Sequence, residues 1–118
     1  MKNEVEKAIW LSFDLGIGGD YPGLYKWLDN HKAIECGNNL AFLKYPIDTS
    51  KENEIPTVIK NDIKKTVKVR PGDRMYIVRR EKSGTSSAIR GEFIFGKRKS
   101  KPWEGYGDFE SDSSEEGE

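Results

Sequence analysis

The pattern of hydrophobic and polar positions along the chain predicts five strands and two helices. We expect strands near 8–14, 32–37, 40–45, 74–80 and 89–96, and helices near 21–30 and 55–67. Residues 8–13, just before Asp14, form a nearly continuous apolar run, which is typical of a strand covered on both faces or nearly so. The side chains expected in the core are Ile9, Leu11, Phe13, Leu24, Leu28, Leu43, Val58, Ile59, Ile63, Ile77 and Val78.

Each predicted helix has apolar residues on one face. Asp20 is a candidate N-cap of the first helix, because a carboxylate accepts free backbone N–H groups and Pro22 is tolerated in the first turn. The glycines at 16, 18 and 19 favour a structural turn. The alternative is a loop that cradles a phosphate at the helix N-terminus, but this run lacks the lysine of a P-loop. The apolar positions are Tyr21, Leu24, Tyr25 and Leu28 in the first helix and Ile55, Val58, Ile59 and Ile63 in the second.

The order of the elements is β-α-β-β-α-β with one added strand. This order indicates an α+β fold, a ferredoxin-like sandwich with an additional C-terminal strand. Both helices would cover one face of an antiparallel sheet and leave the other face for a partner. Phe93 and Phe95 in the fifth strand are two residues apart, so we expect them to face the same way. We expect either the exposed face of the sheet or the fifth strand, a plausible edge strand, to pair with a second copy, giving a homodimer.

Charge is distributed unevenly along the chain, although the formal net charge is zero. Residues 104–118 contain seven acidic residues and no basic one, whereas residues 60–103 contain 14 basic against four acidic residues, a net of +10. We therefore predict a folded domain over 1–103 and an acidic tail over 104–118 with the composition of a disordered segment. The tail is interpreted as solubilising, with competition for the basic surface as the alternative.

The basic residues of the last two strands suggest a polyanionic partner, RNA or DNA. Positive charge neutralises phosphates, and exposed aromatic rings stack on bases. The alternative is a solvated basic face that aids solubility. The residues predicted to contact nucleic acid are Arg74, Arg79, Arg80, Arg90, Lys97, Arg98, Lys99, Lys101 and Trp103.

Three further residues have chemistry that could serve a site. Asp14 has two interpretations. It is either a strand-end cap, or a catalytic residue and Mg²⁺ ligand at a homodimer seam with Asp20 as the candidate second acid. The second interpretation follows because Mg²⁺ prefers carboxylates and can activate water. His31 is interpreted as a cap at a helix end, where a cation interacts well with the helix dipole. Cys36, the single cysteine, is interpreted as a small buried residue.

One cysteine excludes an internal disulfide and fits a reducing compartment. The longest apolar run is far shorter than the roughly 20 residues of a membrane helix, and no signal peptide is apparent. We therefore expect a soluble, cytoplasmic protein with no membrane partner and no cofactor, apart from Mg²⁺ at Asp14 in the alternative just given.

Three segments resemble a known family. Phe13 and Asp14 end the first strand, the run 19–25 (GDYPGLY) opens the first helix, and the run 72–78 (GDRMYIV) follows the hairpin in the same order. Over about residues 8–80 the chain resembles the small CRISPR-associated ferredoxin-like proteins that act with the spacer integrase, and their uncharacterised bacterial relatives. In that family the strand-end acid is linked to metal-dependent nuclease activity in some members only. The resemblance implies a link to bacterial or phage defence.

Three functions remain open on this basis. The first is a nucleic-acid-binding protein without catalytic activity of its own. The second is a metal-dependent nuclease or toxin that uses Asp14. The third is a protein-interaction module whose basic face recognises an acidic protein.

Overall fold

The computed structural model of the protein describes residues 3–108. It contains a five-stranded antiparallel sheet in the order β2-β3-β1-β4-β5 and two α-helices, so the predicted α+β class is confirmed. No helix within residues 3–108 is long and apolar enough to cross a membrane. The elements are β1 (Glu4–Asp14), α1 (Tyr21–Asn30), β2 (Ile34–Glu35), β3 (Leu40–Asp48), α2 (Ile55–Lys64), β4 (Arg74–Ser83) and β5 (Ser86–Phe95), with a 3-10 helix (Thr49–Glu54) before α2.

Strand β1 lies at the centre of the sheet, between β3 and β4. Its side chains alternate: Ile9, Leu11 and Phe13 are buried, whereas Trp10 is 41% exposed. The prediction that this run is covered on both faces is therefore wrong. Both helices pack on the side of the buried residues, and we call the opposite side of the sheet the open face.

The helices bury their apolar stripes against the sheet. In α1 the buried side chains are Leu24, Trp27 and Leu28, while Tyr25 is 54% exposed, so Trp27 takes the place expected for Tyr25. Of the eleven predicted core residues, Val58 and Val78 are only partly buried and the other nine are buried. The remaining members of the core are Leu15, Trp27, Ala41, Tyr45, Ile47, Ile55, Val67, Met75 and Ile94.

Strand β2 is much shorter than predicted, because the chain turns directly after Glu35. Gly37 and Asn39 have φ angles of +130° and +58°, which is left-handed backbone that ends the strand. Cys36 lies at the start of this turn and is exposed, so the prediction that it is buried is wrong.

A β-bulge in β5 separates the two phenylalanines of that strand. Met75 pairs with Phe95 and the next residue, Tyr76, pairs with Phe93, so Ile94 is the extra residue. Phe95 accordingly packs against the core beside α2, with the Lys60 ammonium 5.6 Å from its ring centroid. Phe93 contacts Tyr76 on the open face. The prediction that Phe93 and Phe95 face the same way is wrong.

Asp20 caps α1 as predicted and also joins it to the segment after α2. Its carboxylate accepts hydrogen bonds from the backbone N–H groups of Gly23 at 3.0 Å and Lys68 at 2.8 Å. These bonds hold the pKa of the Asp20 carboxyl below its ordinary value. A carboxyl group whose pKa is lower in the folded state stabilises the fold above its unfolded pKa, and this contribution is lost as pH falls through the folded pKa.

We expect Asp20→Ala to lower the melting temperature at neutral pH, because two backbone donors lose their acceptor. The difference in melting temperature between this variant and wild type should be complete above a pH of about 3.8 and should narrow as the pH falls below that value. Thermal melts monitored by circular dichroism across this range test both points. Asp29→Ala, an exposed aspartate on the same helix, is the matched control and should have no such effect.

Candidate nucleic-acid interface

Two arginines and two aromatic rings lie together at one end of the open face. The rings of Tyr76 and Phe93 meet edge to face, with centroids 4.8 Å apart. The Arg98 guanidinium lies 5.5 Å from the Phe93 centroid and 5.9 Å from that of Tyr76. The Arg74 guanidinium lies 5.6 Å from the Phe93 centroid. We call these four residues the arginine–aromatic cluster.

Glycine at position 91 allows the ring of Tyr76 to take this position. Gly91 pairs with Val78 in the β4–β5 ladder, next to the Tyr76–Phe93 pair. A Cβ atom at Gly91 would lie 2.5 Å from the Tyr76 hydroxyl oxygen and 2.8 Å from two ring carbons. The Tyr76 ring therefore lies directly against the β5 backbone, and a side chain at position 91 would displace that ring.

Asp14 lies beside the cluster and is paired with Arg74. The Arg74 guanidinium Nη2 is 3.4 Å from Asp14 Oδ2, and its Nη1 donates to the Lys97 carbonyl at 3.3 Å. A shallow depression of about 290 Å³ lies here, lined by Ser12, Asp14 and the cluster. Within residues 3–108, no group of three or more His, Cys, Asp or Glu side chains could hold a metal ion. The role of Asp14 as a catalytic residue and Mg²⁺ ligand stays a prediction, and Asp20, the candidate second acid, is engaged as a helix cap.

Several other predicted contact residues are accessible. Arg80 lies on the open face, where its Nη1 donates to the Ser87 hydroxyl at 3.0 Å. Trp103 is 67% exposed in a turn closed by a hydrogen bond from the Tyr106 N–H to its carbonyl. The basic residues that follow β5 are all exposed: Lys97, Arg98, Lys99 and Lys101. The acidic tail beyond residue 108 lies outside the described residues.

The structure does not bring Arg79 and Arg90 to the open face. Arg79 is 5% exposed and pairs with Glu92 at 3.1 Å and Glu81 at 3.7 Å. Arg90 is opposite Arg79 in the ladder and also pairs with Glu81. The two-residue period of β4 explains this, because Arg79 shares a face with the buried Ile77.

Sequence reasoning missed the aromatic residues of the open face. Trp10 was interpreted as part of a doubly covered strand, and Phe42 and Tyr76 were assigned no function. Trp10 and Phe42 are directly opposite each other on β1 and β3, with ring centroids 4.8 Å apart. A signal was present in the sequence. Ala8, Trp10 and Ser12 alternate with the large apolar residues Ile9 and Leu11, and the small or polar residues at 8 and 12 mark the side of the strand that is not buried. Trp10 lies on that side.

Four polar or aromatic side chains form a second cluster on the helix side of the sheet. The carboxylate Oδ2 of Asp62 accepts hydrogen bonds from Trp27 Nε1 at 3.1 Å and from the Tyr45 hydroxyl at 3.0 Å. His31 Nε2 lies 3.4 Å from the same oxygen. Burial, together with the Asp62 carboxylate, raises the pKa of Tyr45, so its hydroxyl remains a donor. His31 is the C-cap residue of α1, and this cluster connects α1, α2 and β3.

We expect Asp62→Ala to lower the free energy of unfolding by about 1–3 kcal/mol, because the buried donors of Trp27 and Tyr45 lose their acceptor. Urea unfolding monitored by tryptophan fluorescence measures this. The neighbouring exposed Asn61 supplies the control, since Asn61→Ala should change stability by less than about 0.5 kcal/mol. Equal losses in the two variants would show that the cluster does not stabilise the fold.

Comparisons of the chain with protein-family models, with curated proteins and with solved structures find no match.

Proposed function

We propose that this protein binds nucleic acid through the arginine–aromatic cluster and the basic segment after β5, without catalytic activity of its own. The observation that supports this most directly is the position of Arg74 and Arg98 against the rings of Tyr76 and Phe93. Guanidinium groups neutralise phosphates and also stack on planar rings. Guanidinium groups held against aromatic rings at a partly exposed place suit a ligand that carries phosphates.

The segment that follows β5 extends this positive surface. It contains four basic residues between positions 97 and 101, and it leaves the sheet beside the cluster because Arg74 binds the Lys97 carbonyl. Asp14 offsets part of the Arg74 charge. Arg98 has no acidic partner among residues 3–108, so its charge is available to a phosphate.

The metal-dependent nuclease alternative lacks comparable support. In the described part of the chain, Asp14 pairs with Arg74 and no acidic cluster surrounds it. The link to bacterial or phage defence rests on the sequence resemblance alone. Protein recognition by the basic face becomes the better interpretation if no oligonucleotide binds.

We also propose that the domain has the ferredoxin-like arrangement, with β5 as an addition at the edge of β4. The sheet order β2-β3-β1-β4, with antiparallel neighbours and both helices on one face, supports this assignment.

We expect the double variant Arg74→Gln and Arg98→Gln to bind RNA and DNA more weakly than wild type. Each lost phosphate contact should reduce the slope of log affinity against log salt by about 0.7–0.9. Fluorescence anisotropy with labelled single strands and duplexes over a salt series measures both quantities.

The matched control is Lys64→Gln with Lys65→Gln, which also removes two charges. Both lysines are exposed at the end of α2, on the helix side of the sheet. This control should retain most of the affinity. Equal weakening by the two double variants would show that binding follows net charge alone and would contradict the proposed site.

We further propose that β5 pairs with β5 of a second copy. Within the described residues β5 pairs with β4 along one edge only, and its other edge has no strand partner. An unpaired edge of ten residues is a template for another strand. Antiparallel pairing around a two-fold axis normal to the sheet would place both open faces on the same side.

We expect light scattering at micromolar concentration to give twice the mass of the chain. Ile89→Lys should shift the protein towards the monomer, because two lysines would meet near the axis of the paired edges. The control is Ile17→Lys, at a fully exposed loop position that lies outside the sheet. A monomer mass for the wild-type protein would contradict the dimer.

A further inference from the structure

A row of apolar side chains crosses the open face at right angles to the strands. The pairing register places Ile34 of β2 opposite Phe42 of β3, Phe42 opposite Trp10 of β1, and Trp10 opposite Val78 of β4. Val78 is in turn opposite Gly91 of β5. We call Ile34, Phe42, Trp10 and Val78 the apolar row. At a strand spacing of about 4.8 Å, the row is roughly 14 Å long.

The row is partly exposed: Phe42 and Val78 are half-buried, whereas Trp10 and Ile34 are exposed. Trp10 is 41% exposed although β1 is the central strand, and Ile34 is 61% exposed. The neighbours of Trp10 on the same side of β1 are Ala8 and Ser12, which are too small to cover an indole. Scattered apolar residues are ordinary on a protein surface, but a contiguous group of this kind marks a binding site.

Basic side chains lie on both sides of the row, and acidic residues of β1 accompany them, Glu6 on one side and Asp14 on the other. Strands β3 and β4 are both antiparallel to β1 and so run in the same direction. The next open-face residues after Phe42 and Val78 are therefore Lys44 and Arg80, on the same side of the row. The arginine–aromatic cluster, with Arg74 and Arg98, lies on the other side. An apolar protein partner would have to desolvate these charges, whereas a polyanion would neutralise them.

The two aromatic pairs of the open face differ in their surroundings. Tyr76 and Phe93 have guanidinium groups against their rings. Within residues 3–108, no lysine or arginine lies over the ring of Trp10 or Phe42. Trp10, which is 41% exposed, can therefore offer ring surface to a base, with the half-buried Phe42 packed beside it, while the cluster next to this pair supplies charge for the phosphates.

We infer that the apolar row binds unpaired bases of a single-stranded nucleic acid, with Trp10 and Phe42 as the stacking residues. This inference rests on the proposed function and deepens it by naming the form of the ligand. Bases in a duplex are stacked on each other and offer no free face to a flat sheet, whereas single strands can splay their bases onto aromatic side chains. The shared chemistry is that of RNA and single-stranded DNA.

The test compares Trp10→Ala and Phe42→Ala with Tyr25→Ala, an exposed aromatic residue on α1. The probes are labelled oligouridylate, oligothymidylate and a DNA duplex of the same length. Each open-face variant should lose between about 5-fold and 150-fold in affinity for the single strands. Duplex binding and the salt slope should stay unchanged, because no phosphate contact is lost. Tyr25→Ala should bind all three probes as wild type does.

A fluorescence experiment gives a second readout that does not depend on truncating a ring. In a Trp103→Phe background the remaining tryptophans are Trp10 and the buried Trp27. Titration with the unlabelled single strands should quench the emission of Trp10. The quenching should disappear when Trp10→Phe is added, a change that preserves an aromatic ring. The RNA and DNA titrations show which sugar is preferred.

The outcomes separate this inference from the proposed function. If the arginine variants lose binding while Trp10→Ala and Phe42→Ala bind every probe as wild type does, the stacking inference is overturned and the proposed function stands. If the wild-type protein binds no probe at low salt, both are overturned. If Trp10→Ala converts a dimer to a monomer without changing oligonucleotide binding, the row is an interface between copies and the inference is overturned.

Discussion

The alternation of side chains along β1 fixes the rest of the structure. Between residues 10 and 12 this strand is paired on both edges, with β3 on one side and β4 on the other. Because its side chains alternate with a period of two, Leu11 must lie under the helices if Trp10 lies on the open face. A slip of one residue would exchange these two side chains and would place an indole in the space of a leucine. The faces of β1 and of its two neighbours, β3 and β4, are therefore set together.

The same alternation in β4 divides the arginines between two functions. Arg79 is on the helix side, where Glu81 and Glu92 neutralise it, so it contributes to the ladder between β4 and β5. Arg74 and Arg80 are on the open face, at either side of Tyr76 and Val78. A basic sequence run thus becomes a structural ion pair on one face and an accessible positive surface on the other.

Local patterns were sufficient for the elements and for most of the core. The apolar stripe and the Asp20 cap located α1 at the residues where it is found, because helix periodicity and capping are local properties. Tyr25 was predicted on the apolar stripe and Trp27 was not placed, because only packing against Tyr45 and Asp62 selects Trp27 for the interior. Cys36 was placed in a strand that ends one residue earlier.

The candidate site was less accessible to sequence reasoning. The charge asymmetry directed attention to the segment from β4 onwards, but charge alone does not tell which arginine has a glutamate opposite it. The apolar row is assembled from four strands that are distant in sequence, so its continuity follows only from their pairing. An apolar residue such as Trp10 has the same letter in a core and on an exposed face, and only the partner strands distinguish the two.

The bulge at Ile94 places Phe93 and Phe95 on opposite faces of the sheet. Phe95 packs against the core beside α2, so a smaller side chain at this position would leave a cavity and lower the stability of the fold. Phe93 belongs to the surface on the other side of the sheet, where a change alters what the surface contacts. In evolutionary terms, substitutions at Phe93 can change the open face while selection for folding acts independently on Phe95.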